Sequence, residues 1–285
     1  MAQASSSNDT DRQSNSYLIG IGRGIGGALL FAIPMLMTME MWSLGMFMDR
    51  TRLFILLIVT LPLLVVLAHR IGFERTLSWS DALRDACLAY GIGIFSSVII
   101  LTVFNQLSPD MSLDEIVGKI ALQSVSAGMG ALLGRSQLGN DSLEDDDDDD
   151  SPTGDVGYLD ELFLMAIGAL FLSLNIAPTD EMIVIAYKMT GWHALALIVV
   201  SVLAMHGFVY AVCFKGSHML SADMPWWHAF FRFTMVGYVL ALLISFYTLW
   251  TFERVDGVSY TQVLYTVIVL GLPASIGAAA ARLIL

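Results

Sequence analysis

From residue 24 to its end the chain is organised as long apolar runs, each separated from the next by a short cluster of polar residues. A helix needs roughly 20 apolar residues to traverse a ~30 Å hydrocarbon core. The runs at 24–48, 53–69, 86–104, 116–134, 162–187, 192–214, 229–252 and 261–285 meet or approach that length. The pattern predicts an all-α polytopic membrane protein of about eight transmembrane helices. The second run is short, and the fourth is the most polar, carrying Lys119, Gln123, Ser124 and Ser126. Ser112-Leu113-Asp114-Glu115 reads as a capping box and sets the start of the fourth helix just before its apolar run.

The runs fall into two similar sets. Gly27-Ala28-Leu29 lies over Gly168-Ala169-Leu170 at an offset of 141, and at the same offset Thr38, Glu40 and Met41 fall on Thr179, Glu181 and Met182. Further on the offset is 147: Trp79 and Ala82 fall on Trp226 and Ala229, and Gly130, Ala131 and Arg135 on Gly277, Ala278 and Arg282. The order of these matches argues for duplication. It divides the chain into a polar disordered tail (1–17), a first four-helix repeat (18–136), an acidic disordered linker (137–157) and a second four-helix repeat (158–285). With an even number of helices per repeat, both repeats enter the membrane from the same side. They are then expected to be related by a pseudo-twofold axis along the membrane normal.

Charge sharpens this picture. Of 26 acids, nine lie between Asp141 and Asp155, leaving 17 against 14 bases elsewhere, so most of the net charge of −12 belongs to the linker and the body is nearly neutral. The bases alternate with apolar runs and cannot track a phosphate backbone, which excludes nucleic acid as a partner. Assigned to sides, nine of them lie with the termini and five opposite (Arg50, Arg52, Lys119, Lys188 and Arg254), which places both termini and the linker in the cytoplasm. Cys87 and Cys213 lie singly in apolar segments and read as packing residues, and the sixteen methionines read as core filler rather than soft-metal ligands. The aspartate run lacks the glycine-punctuated spacing of a Ca²⁺ loop and reads as a solvated linker.

Acids inside an apolar run are costly and mark function more often than packing. Glu40 and Glu181 are the outstanding pair, at matching positions of the two sets. Pro34 and Pro178 precede them by six and three residues, and each is expected to break or kink its helix by removing a backbone donor. Thr38, Thr179 or Asp180 is then placed to cap a short second half-helix. Such breaks free carbonyls at membrane depth. With Asn175 and the threonine hydroxyls they would give an oxygen-rich site for a hard cation or a proton. The competing reading puts both glutamates at the outer interface, since Glu40 stands 17 residues beyond Arg23 and Glu181 stands 20 beyond Glu161. His206, mid-run, reads as a hydrogen-bonded packing histidine rather than a proton relay. Ser126, Gly130, Gly134, Ala274 and Ala278 form rows of small residues that pack helices.

The blocks Phe31-Ala32-Ile33-Pro34-Met35-Leu36-Met37-Thr38-Met39-Glu40-Met41-Trp42 and Ala177-Pro178-Thr179-Asp180-Glu181-Met182 resemble a family of bacterial integral membrane proteins of unknown function. The resemblance implies a multi-pass protein of the bacterial inner membrane and brings no activity with it. The residues themselves favour a cation channel or transporter, proton-coupled or not, built on the two glutamates. A membrane sensor, accessory or scaffold protein without transport activity of its own is the alternative. No H-E-x-x-H, G-x-S-x-G or intramembrane Gly-x-Gly-Asp pattern is present, so no enzyme activity and no cofactor is expected. The partners expected are the lipid bilayer, inorganic cations or protons, and a second copy of the chain should the protein assemble.

Overall fold

The computed structural model describes residues 20–30, 32–35, 38–71, 78–138, 158–211, 227 and 230–284. Among these residues every regular element is helical. The chain divides into two compact units, 1–147 and 148–285. The first holds α1 (Gly20–Met35), α2 (Met39–Phe47), α3 (Arg50–Ile71), α4 (Trp79–Val103) and α5 (Leu113–Leu138). The second holds α6 (Tyr158–Ile176), α7 (Asp180–Lys188), α8 (Gly191–Ala211), α9 (Phe230–Thr251, its first six residues π-helical) and α10 (Tyr260–Ile284). The tail and most of the acidic linker, 139–157, lie outside the described residues, as does Cys213.

Among the described residues seven helices are long and apolar enough to cross a membrane, and an eighth crossing is obtained if α1 and α2, bent by 89° at their junction, are taken together. The run at 24–48 is therefore two helices rather than one, and the run at 162–187 likewise breaks into α6 and α7. The run expected to be short is extended by Arg50 and Arg52 into a helix of 22 residues. The capping box forms as written: Glu115 accepts from the Ser112 amide at 2.8 Å, and Ser112 Oγ accepts from the Glu115 amide at 3.3 Å.

Packing in each unit is organised around its last helix. Lipid tails are as apolar as leucine, so helices in a membrane associate by close van der Waals approach, which small residues permit. In α5 the stretch Ser124, Ser126, Ala127, Gly128, Gly130, Ala131 and Gly134 is buried, and 72 % of the spanning part of this helix is inside the unit. Any side chain on Gly27 of α1 would meet the carbonyl of Gly130 and the backbone of Gly134, and one on Gly93 of α4 would meet the backbone of Gly128. In the second unit α10 has the same place: Gly168 of α6 rests on the Gly277 carbonyl and Ala281, and Met165, Ala169, Met205, Tyr238, Ala241, Ala274, Ala278 and Ala279 form one core. The small-residue rows thus pack helices as expected. Several buried hydroxyls donate to the carbonyl one turn back, as Ser97 does to Gly93, Ser201 to Leu197 and Ser245 to Ala241, each at 2.7 to 2.8 Å.

One expectation changes: Cys87 is exposed on α4 rather than packed in the core. Pro62 and Pro273 lie inside α3 and α10 without interrupting them. One missing donor is tolerated in a helix whose remaining ladder is intact.

Candidate functional site

The two breaks are built alike. α1 ends at Met35, with Pro34 exposed in its last turn, and α2 starts at Met39 after the N-cap Thr38. The Met35 carbonyl accepts twice, from the Thr38 amide at 3.2 Å and from Thr38 Oγ1 at 2.7 Å. α6 ends at Ile176, Ala177 and Pro178 form the turn, and Thr179 is the N-cap of α7. The Ile176 carbonyl accepts from the Thr179 amide at 3.0 Å and from Thr179 Oγ1 at 2.8 Å. Both threonines stand at cap positions, but neither side chain caps the helix that follows. Each hydroxyl turns back instead and closes the end of the preceding helix, because the carbonyl orphaned by the break lies within its reach.

Polar side chains from elsewhere in each unit close what remains. In the first unit Gln123 Nε2, buried on α5, donates to the Ala32 carbonyl at 3.0 Å and so ties α5 to the last turn of α1. At the far end of α2, Arg50 donates to the carbonyls of Gly45 at 3.0 Å and Met46 at 3.2 Å, and its guanidinium is paired with Asp114 at 2.7 Å. That is the cationic form of a helix C-cap. Gly45 also lies directly against the backbone of Lys119, which lets α2 lie against α5. Lys119 is itself buried, donates to the Gln106 carbonyl at 2.8 Å and stands 5.4 Å from the Trp42 ring centre. In the second unit Arg254, in the turn after α9, pairs with Asp180 at 2.9 Å and donates to the Pro178 carbonyl. Asn175 donates to the Phe171 carbonyl at 2.8 Å, while its Oδ1 is buried with no hydrogen-bond partner among the described residues.

Glu40 and Glu181 are what these closures leave over. Each lies in the first turn of its nine-residue helix, where the helix dipole favours an acid. Glu40 is half-buried and Glu181 exposed. Neither carboxylate makes a hydrogen bond or ion pair among the described residues. On each helix the two buried residues, Met41 and Gly45 on α2 and Met182 and Ala186 on α7, lie 100° to 140° around the axis from the glutamate at 100° per residue. Of the oxygens expected at the site, those of Met35, Ile176, Ala32 and Pro178 are already bonded, and Asp180 is paired with Arg254. No group of three or more His, Cys, Asp or Glu that could hold a metal occurs among the described residues.

Gln123 and Arg254, which hold the breaks, and Arg50, which closes the far end of α2, were legible only as a polar residue in the fourth run and as bases assigned to a side. His206 packs as expected, with Nδ1 at 3.0 Å from Thr234 Oγ1 and its ring edge-on to Phe230.

The helix lengths, the exposed apolar faces and the small-residue packing define a polytopic helical membrane protein. The family described as "Putative integral membrane protein (DUF2391)" matches residues 20–285, and the chain belongs to that family. No curated protein and no solved structure matches it.

Proposed function

We propose that the protein carries a cation or a proton across the membrane, with Glu40 and Glu181 as the groups that bind it. The observation that carries this reading is the selective freedom of these two carboxylates. Around each break the other polar groups are mostly bonded, yet at the position that matches between the units a lone acid stays uncommitted. One carboxylate per break falls short of the six to eight oxygens that Ca²⁺ takes, so a proton or a weakly coordinated cation suits the site better. We further propose that the units arose by duplication. Matching features within each unit support this: helix starts at Met39 and Asp180, positive φ at Asn105 (55°) and Glu253 (62°), and threonine closures of Met35 and Ile176.

The alternative, an accessory or scaffold protein of the bacterial inner membrane, is favoured by the completeness of the closures, since bonded carbonyls line no ion path. Proteoliposomes containing only this chain separate the two. Flux of Na⁺, K⁺, Mg²⁺, Ca²⁺ or H⁺ above that of empty vesicles supports transport. Absence of flux for the whole panel, together with a stable partner on purification, overturns it in favour of the scaffold.

A further inference from the structure

We propose that α2 and α7 cross nothing and instead lie in the headgroup layer as membrane-interface helices, on the side of their unit away from its first helix's start. This goes beyond the transport reading and stands without it. Nine residues at 1.5 Å each give about 13 Å, less than half of a ~30 Å hydrocarbon core. In the second unit the neighbours of α7 leave it no thickness to cover. α6 and α8 are each long and apolar enough to cross alone, and α7 joins the exit of one to the entrance of the other with a turn of two or three residues on each side. In the first unit α2 leaves α1 at 89°, so α1 crosses with its own 16 residues, about 24 Å, and α2 lies in the membrane plane. Its other end is fixed by Arg50, Asp49 and Asp114, a charged layer that does not enter hydrocarbon.

The surface of α7 suits a boundary between water and acyl chains. Met182 and Ala186 are buried within the unit; Val184, Ile185 and Tyr187 are exposed, and so are Asp180, Glu181 and Lys188. Trp192 and Tyr260, 81 % and 95 % exposed at the first turns of α8 and α10, are the aromatic residues that favour the headgroup level. Phe47, 79 % exposed, ends α2 in the same manner. The occupant of these faces is therefore the lipid headgroup and acyl boundary, and both glutamates sit at its level rather than in the hydrocarbon.

Depth measurements on the full chain in nanodiscs test this. With Cys87 and Cys213 replaced by Ser, a spin label is placed singly at Phe47→Cys, Ile185→Cys and Tyr187→Cys, with Val199→Cys in mid-α8 as the hydrocarbon reference and Asp110→Cys in the α4–α5 turn as the aqueous one. All five side chains are exposed, so the variants keep the packing, and loss of one of the three test sites leaves two. The expected result is accessibility between the Val199 and Asp110 values for both O₂ and a Ni(II) chelate, placing the labels roughly 5–10 Å inside the boundary. Values equal to Val199 mean inserted helices, values equal to Asp110 mean helices in water, and shielding from both reagents means a protein cover. Each of these overturns the proposal.

Discussion

The break after α1 and the break after α6 have the same backbone solution and different side-chain locks. In both, a threonine hydroxyl and its amide occupy one orphaned carbonyl. Beyond that the first unit uses an amide from its central helix, Gln123, and the second an ion pair from a turn, Arg254 with Asp180. The positions are not equivalent: Leu270 stands where the offset of 147 would place a second Gln123, and Met39 stands opposite Asp180 at the offset of 141. An orphaned carbonyl must be satisfied in a membrane, but any donor within reach will serve. What the two breaks hold in common is the interruption, its threonine and a free glutamate. What they do not hold in common is scaffolding.

The largest effect tests whether the units are packed on the same principle. Gly27→Leu and Gly168→Leu each force a side chain into a backbone carbonyl of the central helix, Gly130 or Gly277, with no flexible side chain to give way. Overpacking usually costs 1–3 kcal/mol, and backbone contact on a rigid helix puts these variants at about 3 kcal/mol or more. Thermal unfolding in detergent should show a similar loss for both. Tolerance of one substitution alone would mean that the units pack differently.

The locks come next. Arg254→Ala leaves the Pro178 carbonyl without its donor and should destabilise by about 1–3 kcal/mol. Asp180→Asn should cost less than about 1 kcal/mol, because the Asp180 side chain is 69 % exposed and an exposed pair contributes little. Gln123→Leu, which removes a buried donor to the Ala32 carbonyl, should match Arg254→Ala rather than Asp180→Asn. Chemical denaturation of the three variants in one detergent ranks them. An Asp180→Asn effect as large as that of Arg254→Ala would make the ion pair, not the carbonyl, the lock.

Much of this was legible in the sequence, and the reason for the rest is geometric. Apolar runs located the long helices because burial in lipid needs length, and Ser112 with Glu115 gave one start because a capping box is a local code. The breaks were legible from Pro34 and Pro178 only in company with the following threonine, since Pro62 and Pro273 sit in unbroken helices. The direction in which Thr38 and Thr179 point was not legible, because a residue at a cap position has orphaned groups on both sides. Gln123 and Arg254 were beyond sequence reading, as their partners lie 91 and 74 to 76 residues away and only packing brings them near. The depth of Glu40 and Glu181 was legible in part, because counting residues along a straight helix puts them at the outer end of a span, the level at which the proposed interface helices would hold them.

A smaller effect probes the shared closure. Thr38→Val and Thr179→Val remove one of two hydrogen bonds to Met35 and Ile176 while the amide bond remains, so each should cost about 0.5–1.5 kcal/mol, and the two should be equal. Unequal losses in thermal unfolding would mean that one unit leans on its threonine more than the other.

The smallest stability effect belongs to the groups with the largest proposed role. Glu40→Gln and Glu181→Gln remove carboxylates that bond to nothing among the described residues, so only their interaction with the helix N-terminus is lost, worth about 0.3–1 kcal/mol at an exposed site. A surface acid retained for packing or solubility would then be replaceable without consequence. If the glutamates bind the transported ion, either substitution should instead reduce flux in proteoliposomes while melting temperature barely moves. Unchanged flux in both single variants would remove the glutamates from the mechanism and leave the freedom of these two acids without a function.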